Sequence, residues 1–371
     1  MYEYLKRILR SHFDYCPKEP YKLFEELSRK HEENLLIDNQ VESSPVAQRQ
    51  LILLSNQSNI EGNMKEIMSN LLEVNNLFEQ IGISLNKEEI YWIWLLMKDL
   101  LNEKANIEKL RFWGKIFGLE NNYYIVEADF NSCDDFDLND SEFLKYQEAC
   151  TTEEELDDSN INLYRQVPPE LIGEGVNRKI FFVTTGIDKP FIQLPMVTPE
   201  QIRLSRKIQQ FFTGNLEASV LSDSNFPGVE KHLLRAQIQR ISACTQIAPK
   251  NYFKIPDIED EDMGEETMDL NSTNLDINDT YEGNKLEDLA LSNGQYWVHY
   301  VPYIYEQGRN IYFYQEEEKS SIERGPHLLT SINEDIAINE LYPAWSIDIT
   351  STLVPEHTLV YVRSNRWPGL C

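Results

Sequence analysis

The sequence predicts an α+β fold: an N-terminal helical region over 1–104, then a β-rich mixed domain over 105–371 with two prominent helices and two acidic loops. Three observations carry that prediction. Apolar residues recur at helical spacing up to about residue 102. From residue 111 onward, short aromatic and β-branched runs alternate with Gly, Pro and Asn, the pattern of strands and turns. Two later stretches, opening at Thr198 and Val229, return to helical spacing, while acidic runs at about 129–160 and 256–290 offer little to bury.

Residues 2–37 read as two helices broken at Pro17 and Pro20, with stripes Leu5, Ile8, Leu9 and Leu23, Phe24, Leu27. A helix over 64–81 places Ile67, Leu71, Leu72, Val74, Leu77 and Phe78 on one face and stops at Gly82. The next begins at Ser84 and runs to about 102. Its Trp92, Trp94, Leu95 and Leu96 surround the axis, so it should be buried on most sides.

A hairpin follows: Arg111-Phe-Trp-Gly-Lys-Ile-Phe-Gly, the turn Leu-Glu-Asn-Asn, then Tyr123-Tyr-Ile-Val-Glu-Ala128. Alternation puts Trp113 and Phe117 on one face and Phe112 and Ile116 on the other. Both faces are apolar, so chain or partner must cover both. Gly114 and Gly118 mark a bulge or a close backbone approach.

Thirteen of the residues from Glu127 to Asp158 are acidic and only Lys145 is basic, which predicts a solvated loop with one helical turn at 142–148. Residues 180–184 form a strand. Thr198-Pro-Glu-Gln is a capping box, and Ile202, Leu204, Ile208, Phe211 and Phe212 give its helix an apolar side as far as Gly214. The second helix, 229–243, turns Leu234, Ile238 and Ile241 inward. Together the two carry Arg203, Arg206, Lys207, Lys231, Arg235 and Arg240, a local positive surface on an acidic chain. Residues 257–269 hold eight acidic groups and no basic one, a further loop. Strands return at 296–301, where Pro302 suggests an edge, and at 310–314 after a turn at Gln307-Gly308. A last hairpin spans 345–350 and 358–363.

A net charge of −28 over 371 residues argues against nucleic acid and anionic membrane and favours a basic protein partner. The most apolar segment, 90–97, is too short to span a bilayer, and the N-terminus lacks the apolar run of a signal peptide. Five widely spaced cysteines without a CxxC suit free thiols in a reducing compartment. The expectation is a soluble intracellular protein.

No catalytic, cofactor or metal motif emerges. Gly173-Glu-Gly175 precedes a strand, whereas a phosphate loop follows one and opens a helix. Asp276, Asn278, Thr280, Asn284 and Glu287 match calcium-loop spacing, but Tyr281 occupies the place that demands Gly. The six histidines make no metal spacing and no nucleophile elbow is present. Two rival readings stay open: an acidic enzyme with a carboxylate-lined cleft, since such pairs are defined in space, and a calcium-responsive module.

The Arg111–Gly118 and Asn122–Ala128 segments resemble the radial spoke head proteins of the 4/6 type. The likeness continues in order through Val167-Pro-Pro-Glu with Gly173-Glu-Gly-Val-Asn, Leu194-Pro-Met-Val-Thr-Pro-Glu-Gln, Arg206-Lys-Ile-Gln-Gln-Phe-Phe-Thr-Gly, Leu234-Arg-Ala-Gln-Ile-Gln-Arg-Ile, Trp297-Val-His-Tyr and Arg366-Trp-Pro-Gly. The resemblance implies a non-enzymatic structural subunit of the radial spoke head, in the axoneme of motile cilia and flagella. Such a subunit pairs with a sibling as a homo- or heterodimer and binds other head and stalk proteins. It touches central-pair projections transiently and relays mechanical signals to dynein. Trp113, Phe117, Tyr123, Arg203, Arg206, Lys207, Arg235, Trp297 and Trp367 are then the candidate subunit-interface residues. The chain departs from the family in stopping at Cys371, where relatives continue with strand-forming residues, so an open edge is expected on the last hairpin.

Overall fold

Helix α1 (Leu71–Gln80) starts where the Asn70 carboxamide oxygen accepts from the Leu72 amide. It is joined to α2 (Lys87–Glu103) by a clamp in which Asn75 accepts from the Leu85 amide and donates to the Leu85 carbonyl. The computed structural model describes residues 67–104, 106–130, 141–151, 167–221, 225–256, 275–313, 323, 325–339, 342–350 and 358–368. The helices expected at 2–37 and the acidic loop at 257–269 lie outside the described residues.

Strands β1 (Ile107–Ile116), β2 (Tyr123–Phe130), β3 (Ile180–Thr184) and β4 (Ile192–Gln193) form an antiparallel sheet in that order. Successive residues of β2 and β3 alternate between two cores, which is why 123–126 and 180–183 are apolar at every step. Tyr124, Val126, Ile180 and Phe182 meet Ile90, Ile93 and Met97 of α2 on one face. Tyr123, Ile125, Phe181 and Val183 meet Leu234 and Ile238 on the other, from helix α5 described below. Helix α3 (Ser141–Thr151) contributes Phe143 to the first core, and its Tyr146 hydroxyl donates to the Val167 carbonyl at 3.1 Å. It is longer than the single turn expected at 142–148, because one buried aromatic ties an otherwise acidic stretch to the core.

The expected facing of β1 needs one correction. Its register shifts between Phe112 and Gly114, the bulge that glycine signalled. Trp113 and Ile116 therefore pack together in the second core while Phe112 stays with the first. The strand ends at Ile116, so Phe117 leaves the sheet and is exposed.

Helix α4 (Pro199–Ser205) has the expected capping box, with Thr198 and Gln201 bonding reciprocally. It stops well short of the expected Gly214. The Ser205 carbonyl accepts from Gln237 Nε2 at 3.1 Å and from Arg240 Nη1 at 2.9 Å, donors on α5 (Glu230–Thr245) that end the helix. The chain beyond it leaves to pair with the β1–β2 turn.

Short antiparallel pairs complete the domain: β5 (Ile247–Pro249) with β8 (Trp297–His299), and β6 (Phe253–Lys254) with β7 (Asp276–Ile277). The final hairpin, β9 (Trp345–Ile349) with β10 (Val360–Ser364), packs Ile347 and Val362 with Ile332 and Trp297. Residues 310–313 do not form the expected strand. The Asn310 and Ile311 amides instead donate to the Glu170 carboxylate.

Candidate interaction surface

Three buried carboxylates organise the loops around the sheet, and each is held by at least one donor more than fifty residues away in sequence. Glu170 accepts from the amides of Val176, Asn310 and Ile311 at 2.7, 3.1 and 2.8 Å. This is the meaning of Gly173-Glu-Gly175: a Cβ on Gly175 would lie 2.2 Å from the Glu170 carboxyl carbon. The amides that an external phosphate would need are satisfied by the chain's own carboxylate. Burial pushes the Glu170 pKa upward, against the pull of those amides and of Arg309.

Glu230, in the first turn of α5, accepts from the Thr213 amide at 2.9 Å, the Thr213 hydroxyl at 2.8 Å, the Gly214 amide at 3.0 Å and the Tyr123 hydroxyl at 2.6 Å. It therefore ties β2, the 211–214 segment and α5 to one point. Burial raises the Tyr123 pKa, and the Glu230 carboxylate adds to the shift.

Glu127 on β2 binds Arg111 Nε at 2.7 Å and Lys179 Nζ at 3.0 Å. Burial opposes its charge, but the two cations outweigh burial and hold its carboxyl below the ordinary range. A depressed folded-state pKa means that Glu127 stabilises the fold above its unfolded pKa, a contribution lost as pH falls through the folded value. Glu170 has the opposite sign: its contribution is complete below the unfolded pKa and is lost as pH rises through the raised folded one. Below about pH 4.5, Tm is expected to fall more steeply for wild type than for Glu127→Gln, read by thermal melts from about pH 3 to 6. Parallel curves for the two proteins would refute the depressed pKa.

At the tip of the β1–β2 hairpin the chain builds a second contact. Gly118 bridges Phe212 in parallel, the Leu119 amide donates to the Phe212 carbonyl at 2.8 Å, and the Glu120 amide donates to the Thr213 carbonyl at 2.8 Å. The approach requires glycine: a Cβ on Gly118 or Gly214 would fall 2.2 or 2.4 Å from the Asn121 carbonyl oxygen. Phe212 turns inward onto Tyr123, edge to face with centroids 6.2 Å apart. Alternation turns Phe211, Phe117 and Leu119 outward, and all three are exposed.

The predicted interface residues part company here. Phe117 and Lys207 are exposed; Trp113, Arg203, Arg206, Trp297 and Trp367 are half-buried. Tyr123 and Arg235 are buried in the chain's own interior. The basic cluster on α4 and α5 is largely spent internally rather than laid out as a positive surface. Arg235 donates to the Val176 carbonyl at 2.8 Å and lies over the Phe181 ring. Arg206 donates to the Ile304 and Tyr305 carbonyls at 3.2 and 2.8 Å, Arg240 holds Ser205, and Lys231 pairs with Glu217. The indole N–H of Trp113 donates to Ser242 Oγ at 2.8 Å, and that of Trp297 to the Leu289 carbonyl at 3.0 Å. Trp367 stacks with Arg240, whose guanidinium lies 5.6 Å from the ring centroid. In sequence Phe211 reads as part of the apolar side of a helix and Leu119 as part of a turn, so neither stands out as a contact residue.

An open groove of about 870 Å³ beside the tip is lined by Glu120, Lys189, Gln193, Glu217 and Lys231 among others. Glu217, one of its two acids, is engaged by Lys231 at 2.8 Å. The calcium-like loop is tied down by its amides, Asn278 to the Asn251 carbonyl and Asn284 to the Lys250 carbonyl. Among the described residues no group of three or more His, Cys, Asp or Glu is placed to hold a metal ion, and no helix is long and apolar enough to cross a membrane.

A family model described as "Radial spokehead-like protein" matches residues 1–371. The chain is 32% identical to human "Radial spoke head protein 4 homolog A" over 100% of its length and 56% of that protein's. It is 32% identical to mouse "Radial spoke head protein 6 homolog A" over 100% of its length and 58% of the relative's. It is 29% identical to "Flagellar radial spoke protein 4" of Chlamydomonas reinhardtii over 81% of its length and 62% of that protein's. The chain thus spans little more than half the length of these curated relatives.

Proposed function

Because the chain belongs to the radial spokehead-like protein family, we propose that it acts as a non-enzymatic structural subunit of the radial spoke head, in the axoneme of motile cilia and flagella. The observation that carries this reading is the match along all of the chain to proteins named radial spoke head protein 4 and 6. The buried carboxylates add support, because each is committed to holding loops together and none opens onto the groove. Its partners are other spoke head and stalk proteins, among them a sibling subunit, with transient contact to central-pair projections. A chain of net charge −28 suits repeated, screened contact with a moving basic partner. Of the candidate interface residues, exposure favours Phe117 and Lys207 over the buried Tyr123 and Arg235.

The test is salt extraction of axonemes that carry a tagged copy. Recovery together with other spoke-head subunits is expected. Recovery alone from the soluble fraction would overturn the reading.

A further inference from the structure

Phe117, Leu119 and Phe211 are 73%, 71% and 81% exposed and stand on one pair of hydrogen-bonded segments. Isolated exposed apolar residues are ordinary on a protein surface; three on one locked element form a patch. Side chains this exposed project rather than line a depression, so the patch is a knob. Its apolar surface is on the order of 400 Å², judged from the 150–250 Å² typical of a large aromatic.

The locking bears on binding. Glu230 holds the Thr213 and Gly214 amides, Phe212 anchors on Tyr123, and Gly118 and Gly214 close on the Asn121 backbone. The knob is therefore pre-organised, which lowers the entropy lost on docking. Its area is about half the 800 Å² per partner of a stable complex, so the knob seats as one part of a wider contact rather than holding a partner alone. A second copy would bring its own net charge of −28.

We infer that the hairpin tip is an apolar plug that seats Phe117, Leu119 and Phe211 in a concave apolar cleft on a different protein of basic character. The inference rests on the structural-subunit reading only for where that partner resides. Its chemistry follows from the exposed rings and the acidic charge of the chain.

The test places a photo-crosslinking amino acid at Glu120, an exposed position beside the plug, in the full-length protein and irradiates living cells before fractionation. The expected product joins position 120 to an apolar peptide of one basic protein. It should drop at least tenfold in the triple variant Phe117→Ser, Leu119→Ser, Phe211→Ser. These side chains bury little of themselves, so the variant should melt within about 2 °C of wild type, which separates lost docking from lost folding. A cross-link to a second copy of this chain, no cross-link, or undiminished cross-linking in the triple variant would each overturn the plug. Cross-linking in intact cells reads the tip wherever the chain resides, whereas axoneme extraction reads residence, so the two proposals fail separately.

Discussion

Glu230→Ala is expected to destabilise the protein by about 3–5 kcal/mol, more than removal of a single neutral hydrogen bond would. Four donors lose their acceptor at once: the Thr213 amide and hydroxyl, the Gly214 amide and the Tyr123 hydroxyl. Tyr123 is fully buried, so its hydroxyl gains no water in exchange. A buried donor without an acceptor costs roughly 1–3 kcal/mol, and water can reach the Thr213 loop, so the penalties do not simply add. Glu230→Gln keeps one acceptor oxygen and should recover about half of the loss. Urea denaturation measures the total, and hydrogen exchange locates it. The Leu119 and Glu120 amides, bonded to the Phe212 and Thr213 carbonyls, should exchange much faster in the alanine variant, while core amides of β3 follow global stability. Unchanged exchange at the tip would show that Glu230 does not hold it.

Arg235→Ala is expected to cost about 3 kcal/mol, chiefly through the cavity left by a large, wholly buried side chain. The guanidinium lies 4.6 Å from the Phe181 ring centroid, donates to the Val176 carbonyl at 2.8 Å and reaches Gln239 Oε1 at 3.1 Å. Burial pushes its pKa down to about 9, so it stays charged at neutral pH. A buried charge carries a desolvation penalty that its contacts must offset, and an apolar side chain of similar volume escapes that penalty. Arg235→Met should therefore cost clearly less than Arg235→Ala. Equal losses would mean that the carbonyl contacts, rather than the packing, set the contribution of this residue. Either result bears on the basic cluster, because a positive surface residue would lose almost nothing in both variants.

Several elements were legible in the sequence because their signals are local. The strand expected at 180–184 is β3, and the helix expected at 229–243 is α5, Glu230–Thr245. The capping box at Thr198 formed as written, and the doubly apolar hairpin is covered on both faces. Periodicity, caps and glycines act within a few residues of one another, so one chain segment contains the whole signal.

What tertiary structure decided lies where a distant partner outbids a local preference. Helix propensity amounts to tenths of a kcal/mol per residue, whereas a buried charge-assisted hydrogen bond is worth about 1.5–3. Arg240 and Gln237 thus end α4 at Ser205 although the apolar spacing runs on to Phe212, and Glu170 draws the Asn310 and Ile311 amides out of an expected strand. The same rule turned the basic residues inward, since carbonyls left bare at Ser205, Val176 and Ile304 needed donors that no neighbour in sequence supplied. By itself the sequence determined the α+β class, the caps, the main strands and the family. Which rings face water, and so where a partner can sit, was settled by a bulge at Gly114 and by bonds between residues a hundred positions apart, such as Tyr123 to Glu230.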